Sequence, residues 1–334
     1  MIINSSIKKY GIKFYKEFDI DLLNYKKGDV IIIDSNVSIG NTNLDVIEIC
    51  CSEETKSYDY LPTVIQKIID TSFSRENKLI AVGGGVTQDI VSFISSILFR
   101  GVDWVFLPTT LLSQGDSCIG GKTSINFRKY KNQLGNFNPP NEIIICESFL
   151  KTLSNKEILS GLGEMLHFYL VSGKEDFDFY KKYHKSDNLK IVRRCLEIKK
   201  GFVEKDEFDR GERLLLNYGH TFGHAIENIT NYSYPHGISV CFGMDIANFI
   251  SMKLGFINKD LYEELKDFIF SVHNINFDSV VNVSNFIDAL KKDKKNNLTG
   301  HINCVLTRGV GDMFLKNISI DAMEKYLEEY GFNK

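Results

Sequence analysis

A run of apolar residues from Leu79 to Val82 passes without interruption into Gly83-Gly84-Gly85. Apolar positions then recur at helical spacing through Ile90, Val91, Ile94, Ile97 and Leu98. The flanking sequence repeats this order of strand and helix. Val30 to Ile33 is a β-branched run ending in Asp34-Ser35-Asn36, and Val46 to Ile49 is a second, ending near Glu53-Glu54-Thr55-Lys56. Leu61, Val64, Ile65, Ile68 and Ile69 have helical spacing, whereas Trp104 to Leu107 and Ile143 to Ile145 read as further strands. Strands alternating with helices predict an α/β fold with a parallel sheet and crossover helices. Ligands of such sheets bind at the carboxyl ends of the strands, which is where these polar clusters lie.

After Pro139-Pro140 the texture becomes mainly α-helical. Ser154-Asn155-Lys156-Glu157 is a capping-box sequence that starts a helix carrying Leu159, Leu162, Leu166 and Tyr169, with Glu164 on it as a possible carboxylate ligand. Ile191 to Val203 and Ile238 to Leu254 predict further helices, the second apolar on most faces and so buried. Ile302 to Leu306 predicts a strand and Asp321 to Tyr330 a closing amphipathic helix. At 334 residues the chain exceeds one ordinary core, and the change of texture divides it into residues 1–148 and 149–334.

A formal net charge of -3 with mixed signs argues against a nucleic-acid or membrane-surface protein, while local basic clusters can still serve a small anionic substrate. The seven cysteines are scattered and include no C-x-x-C, as expected of reduced thiols in a cytosol. The start lacks signal-peptide anatomy and no apolar run approaches a membrane span, so the expectation is a soluble cytoplasmic protein.

Three histidines, His220, His224 and His236, fall within 17 residues. The first two share a helical face, the third sits in a Pro235-His236-Gly237 turn, and neutral imidazoles so gathered suggest a zinc-like ion. Gly219 and Gly223 each precede a histidine and weaken a helix, which signals close approach by a ligand or another backbone. A metalloprotease is disfavoured, because Thr221 stands where a zincin carries its glutamate base. The triple glycine is either a tight strand-to-helix turn or a place where amides and a helix N-terminus approach a pyrophosphate, with Asp89 a turn later able to orient a cofactor group. Pro108-Thr109-Thr110, Asp116, Gly120-Gly121-Lys122-Thr123 and Lys131-Asn132 follow, and glycine beside lysine suits an anion. The Walker A spacing is absent.

These motifs, together with Phe149-Leu150-Lys151-Thr152-Leu153 and Asn217-Tyr218-Gly219-His220-Thr221-Phe222-Gly223-His224-Ala225-Ile226-Glu227, resemble 3-dehydroquinate synthase and its sugar-phosphate cyclase relatives, densely from Leu79 to Gly237. The resemblance implies an NAD-binding α/β domain at 1–148, a helical metal- and substrate-binding domain at 149–334, an active site in the cleft and a homodimer. It implies Glu164, His220 and His236 as ligands of one divalent ion, zinc or cobalt, with His224 left for substrate phosphate and proton handling. NAD contacts would come from Asp34, Asn36, Glu53, Lys56, Gly84, Gly85, Val86, Asp89, Thr109, Thr110, Lys122, Lys131, Phe149 and Thr152. Asp116, Lys122, Asn132, His167, Lys199, Arg213, Asn217 and Lys294 match the substrate pocket, and Arg100 an arginine that reaches the partner subunit's site.

The implied reaction is a cyclising phosphate elimination from a seven-carbon 3-deoxy-heptulosonate 7-phosphate, in which NAD is reduced and reoxidised within one turnover. Departures are equally specific. Glu164-Met165-Leu166-His167 replaces the family's Glu-x-x-Lys, His236-Gly237-Ile238 its His-Gly-Glu, and Glu212 the apolar residue usual before Arg213. A mostly neutral His167 lowers the positive charge near the substrate hydroxyls. A paralogous cyclase acting on sedoheptulose 7-phosphate or an amino analogue, and an NAD- and metal-dependent polyol dehydrogenase, are the alternatives.

Overall fold

The computed structural model describes residues 1–128, 130–277, 281–292 and 300–333. It divides into two compact units, one of Met1–Leu153 with Lys199–Glu207 and one of Ser154–Ile198 with Phe208–Lys334.

The first unit contains a seven-stranded sheet in the order β1-β2-β9-β6-β5-β3-β4. Its strands are β1 (Ile2–Ile3), β2 (Tyr10–Tyr15), β3 (Val30–Asp34), β4 (Asp45–Ile49), β5 (Lys78–Gly83), β6 (Asp103–Pro108) and β9 (Glu142–Cys146). All pair in parallel except β1 with β2. Ile31, Ile33, Ile80, Val82, Val105 and Leu107 bury one face, and the alternate residues Ile32, Leu79, Ala81, Trp104 and Phe106 are buried too. Burial on both faces is what uninterrupted β-branched runs require. The helices α1 (Leu61–Ile69) and α2 (Gly85–Ile97) make crossovers. Parallel register sets Asp34 opposite Ile49, and Gly83 opposite Pro108, so the polar carboxyl ends of these strands come out on the same side. Strand β2 went unread in the sequence because Lys13 interrupts it; it survives because Gly11 to Tyr15 pair with Glu142 to Cys146. The hairpin β7 (Ile125–Phe127) and β8 (Tyr130–Leu134) was likewise read only as a polar cluster.

The second unit holds α3 (Asn155–Ser172), α4 (Lys174–Tyr183), the first part of α5 (Asn188–Lys205), α6 (His220–Ile229), α7 (His236–Lys253), α8 (Lys259–His273), α9 (Val283–Lys292) and α10 (Ile320–Tyr330), with a hairpin of β10 (His301–Thr307) and β11 (Met313–Ser319). The capping box forms: Ser154 Oγ accepts from the Glu157 amide at 3.3 Å and the Glu157 carboxylate accepts from the Ser154 amide at 2.9 Å. Helix α7 is buried from Gly237 to Ser251, as its all-round apolar sequence predicts. One expectation is corrected: His236 is the first residue of α7, with Pro235 as its N-cap, instead of part of a free turn.

Glycines set how closely α3, α6 and α7 approach. A Cβ on Gly237 would lie 1.8 Å from the Ser160 carbonyl, and one on Gly243 would lie 2.0 Å from the Gly219 carbonyl. Gly219 itself holds φ +82° and faces Met244 and Val240. The glycines beside the histidines therefore serve helix-to-helix backbone contact. Among the described residues no helix is long and apolar enough to cross a membrane.

Candidate metal centre and cofactor turn

Glu164 lies in the middle of α3 and is 2% exposed. Its Oε1 is 3.3 Å from His220 Nε2 and its Oε2 is 3.3 Å from His236 Nε2. Each imidazole is the first residue of its helix, α6 or α7, and the glycine contacts seat α7 on α3 and α6 on α7. The remaining ring nitrogens are engaged elsewhere. His220 Nδ1 is 3.3 Å from the Tyr218 carbonyl and His236 Nδ1 is 3.0 Å from Glu227 Oε1, so in each ring Nε2 is the nitrogen turned toward the carboxylate. Glu164 Oε2 is buried without a hydrogen bond.

Burial opposes ionisation of Glu164, but His220, His236 and His167 together outweigh it and hold the carboxyl well below its ordinary range. Burial likewise opposes charge on His236, and Glu164 and Glu227 reverse that and raise it. A carboxylate flanked by two imidazole nitrogens, with a buried oxygen lacking any hydrogen bond, is the donor chemistry of a divalent cation site.

His167, one helical turn after Glu164, is 1% exposed; its Nδ1 donates to the Glu164 carbonyl at 2.5 Å, and it lies near enough to Glu164 and His220 to belong to one donor cluster with them. His224 is exposed, with its ring centre 5.6 Å from that of His220 and 5.7 Å from that of His236. Arg213 is buried on the turn before α6, and Asn217 Nδ2 donates to the Leu214 carbonyl at 2.8 Å. Lys294 and its neighbours Asp293 and Lys295 lie outside the described residues. Sequence reasoning gives Glu227 no role. Its spacing of seven from His220, two helical turns on the same face, was the available signal.

In the first unit Gly83-Gly84-Gly85 links β5 to α2, with Gly84 as an N-cap that supplies no side-chain hydrogen bond. A Cβ on Gly83 would strike Thr87 and one on Gly84 would come 3.2 Å from Thr110, whereas one on Gly85 would stand 4.0 Å from its nearest neighbour, Ser117 Oγ. The turn thus leaves a bare helix N-terminus, the backbone arrangement that receives phosphate. Val86 follows in the first turn of α2. Thr109 donates its amide to the Gly83 carbonyl at 3.0 Å, and Thr110 Oγ1 donates to Ser113 at 2.8 Å. Asp34 ends β3 and accepts from the Asn36 amide and side chain, both at 3.0 Å.

Asp89 pairs with Lys56 at 2.8 Å and accepts from the Ser124 amide at 2.9 Å. Burial pushes its carboxyl up to about 6 despite Lys56. Asn126, which sequence reading overlooked, donates to Glu53 at 2.8 Å and accepts from the Asn132 amide at 2.8 Å, and Lys131 Nζ stands 3.9 Å from Glu53. Lys199 donates to Asp116 Oδ1 at 2.7 Å and to its carbonyl at 2.6 Å. Lys122 is exposed and its backbone bridges to Phe137. Phe149 packs on Phe18 with ring centres 5.2 Å apart, and Thr152 Oγ1 caps back to the Phe149 carbonyl. Arg100 is exposed in a left-handed backbone, φ +66°.

A parallel α/β unit with a phosphate-approach turn, and a helical unit with a Glu-His-His centre, define a protein equipped for both a phosphate-bearing cofactor and a divalent cation. Comparison with known proteins gives the family. Residues 46–160 match the model of the 3-dehydroquinate synthase N-terminal domain and residues 161–296 that of the C-terminal domain. The chain is 34% identical over 296 residues to 3-dehydroquinate synthase of Clostridium perfringens (strain SM101 / Type A), covering 86% of this chain and 84% of that one. It is 35% identical over 350 residues to that of Campylobacter curvus (strain 525.92), covering 98% and 99%. This chain belongs to the 3-dehydroquinate synthase family and is an enzyme of that phosphate-eliminating, cyclising type.

Among solved structures, 2-deoxy-scyllo-inosose synthase complexed with carbaglucose-6-phosphate, NAD+ and Co2+ shares the fold at TM-score 0.87 and 19% identity, covering 98% of this chain and 99% of that one. The 2-epi-5-epi-valiolone synthase of Streptomyces hygroscopicus subsp. jinggangensis 5008, with NAD+ and Zn2+ bound, does so at 0.84 and 23%, covering 96% of each.

Proposed function

We propose that this chain converts a 3-deoxy-heptulosonate 7-phosphate to 3-dehydroquinate and phosphate, with NAD and one divalent ion, zinc or cobalt, as cofactors. The observation that carries the reading is the convergence of Glu164, His220 and His236, each imidazole already oriented through its other nitrogen. The bare N-terminus of α2 supports NAD in the first unit. When bound, NAD supplies transient oxidation of a ring hydroxyl and the divalent ion polarises that oxygen, with no net redox over the cycle.

The chain's own residues do the rest. Glu164, His220 and His236 hold the ion, and Asp34, Asn36, Glu53, Lys56, Asp89, Thr109 and Thr110 hold NAD together with the glycine turn. Lys122, Arg213 and Lys294 neutralise substrate phosphate and carboxylate by charge-assisted hydrogen bonds. Lys199, fixed by Asp116, presents a located positive charge, and the exposed His224 can carry a proton to or from the substrate phosphate. The reading includes a cytoplasmic homodimer to whose partner site Arg100 reaches; its exposure and left-handed backbone are compatible with that role.

A second reading, a paralogous cyclase for sedoheptulose 7-phosphate or an amino analogue, is favoured by one observation: His167, buried against Glu164, replaces a family lysine. Incubating the protein with NAD, Co2+ and each sugar phosphate in turn, and following phosphate release and the carbocyclic product, decides between them. Release from the carboxylate-bearing substrate supports the first reading. Inertness there with release from sedoheptulose 7-phosphate supports the second.

A further inference from the structure

We infer that Glu227 is a positioning residue for the metal centre, holding His236 in the tautomer and orientation that present its Nε2 to the cation. The inference rests on the reading of Glu164, His220 and His236 as metal ligands. Glu227 lies on the same face of α6 as His220, and its Oε1 accepts from His236 Nδ1 at 3.0 Å across the turn that joins α6 to α7. The opposite nitrogen of that ring faces Glu164 Oε2 at 3.3 Å. An imidazole has one hydrogen when neutral, so a partner that fixes it on Nδ1 leaves the Nε2 lone pair for a cation and makes it more basic. The partner is asymmetric between the two histidines: His220 donates to the neutral carbonyl of Tyr218, whereas His236 donates to a carboxylate.

His224, Glu227 and His236 also stand close enough together to suggest a second cation position. Filling it through His236 would take the Nδ1 hydrogen that Glu227 accepts and put the ring's one N–H on Nε2, facing Glu164, so that His236 could no longer offer that nitrogen to a cation held by Glu164 and His220. The geometry therefore favours one cation and a supporting carboxylate. The turn does not depend on the Glu227 side chain, because its main-chain carbonyl accepts from the Tyr232 amide at 2.8 Å. Replacing the side chain should leave the backbone in place.

The test titrates Co2+ into metal-free full-length protein, following the visible absorption of the bound ion, for wild type, Glu227→Ala and Glu227→Gln. Loss of the acceptor in Glu227→Ala should weaken Co2+ binding roughly 10- to 100-fold. Glu227→Gln keeps an acceptor oxygen without charge, so it should bind within a few-fold of wild type but with a shifted absorption band. NAD affinity and the thermal midpoint of the metal-free variants should match wild type. Wild-type Co2+ affinity and spectrum in Glu227→Ala would overturn the role, as would a fall in the metal-free thermal midpoint of both variants in step with metal affinity, which would mark a structural role. A wild type that binds no Co2+ would overturn the metal assignment itself and this inference with it.

Discussion

On the proposed reading, substrate choice at the level of single residues turns on Arg213 and His167. An arginine can grip a carboxylate through two parallel hydrogen bonds, and removing one partner of such a pair costs about 1.5 to 3 kcal/mol, roughly ten- to a hundredfold in transition-state binding. Arg213→Ala should therefore lower kcat/KM for the carboxylate-bearing heptulosonate phosphate by that factor and spare a substrate lacking the carboxylate. Equal losses on both substrates would remove Arg213 from the carboxylate. His167→Lys restores a positive charge beside Glu164, and in an ordinary synthase it should preserve or raise 3-dehydroquinate formation. Measured phosphate release from the heptulosonate phosphate checks it; a tenfold fall would show that the site has been rebuilt around the imidazole.

Helix packing fixes where these side chains point, and two elements give separate tests. A methyl group on Gly237 has nowhere to go, since its Cβ would sit 1.8 Å from the Ser160 carbonyl and 2.7 Å from the Glu164 amide, both of them main chain. Gly237→Ala should cost about 1 to 3 kcal/mol or more of stability by overpacking, and should weaken metal binding as α7 moves off α3; thermal unfolding and metal content read the two effects. On α8, His273 is 2% exposed, accepts from the Ile275 amide at 3.0 Å and packs on Phe242 and Phe270. Burial drives its pKa down from 6.5 to about 4. Its folded pKa lies below its unfolded one, so the unfolded chain binds the proton first. The stabilisation is complete above pH 6.5 and is lost as pH falls toward 4, by up to roughly 3 kcal/mol. Denaturant unfolding of wild type and His273→Gln across that window should show a steeper acid loss in wild type. Parallel curves would place the acid sensitivity elsewhere.

The whole enzyme makes a different kind of prediction, because a cyclase and a polyol dehydrogenase of related architecture differ in redox balance rather than in parts. With substrate in excess over enzyme and NAD, phosphate should accumulate over many turnovers while absorbance at the NADH band rises no higher than the enzyme concentration. NADH formed mole for mole with product would assign the chain to dehydrogenation. The comparison needs the full chain, since the glycine turn belongs to one unit and the Glu-His-His centre to the other.

Local chemistry was enough to read much of this molecule. The uninterrupted apolar runs before Asp34, Gly83 and Pro108, the Ser154–Glu157 cap and the apolar course of α7 each state their own structure, because a strand buried on both faces and a capped helix need no distant partner to be recognised. Gly219 and Gly223 likewise announced a close backbone approach. Spacing alone gathered His220, His224 and His236 and left Glu164 as one possible carboxylate; only the resemblance selected Glu164 and set His224 aside. Tertiary structure decided what lay beyond the reach of spacing. It made His236 the start of a helix, joined Lys199 to Asp116, gathered Glu53 and Asn132 around Asn126, and set Glu227 on the far nitrogen of His236. The reason is physical: a helix face repeats within seven residues, whereas Glu164 and His236 are neighbours only because glycine backbones let α3 and α7 touch.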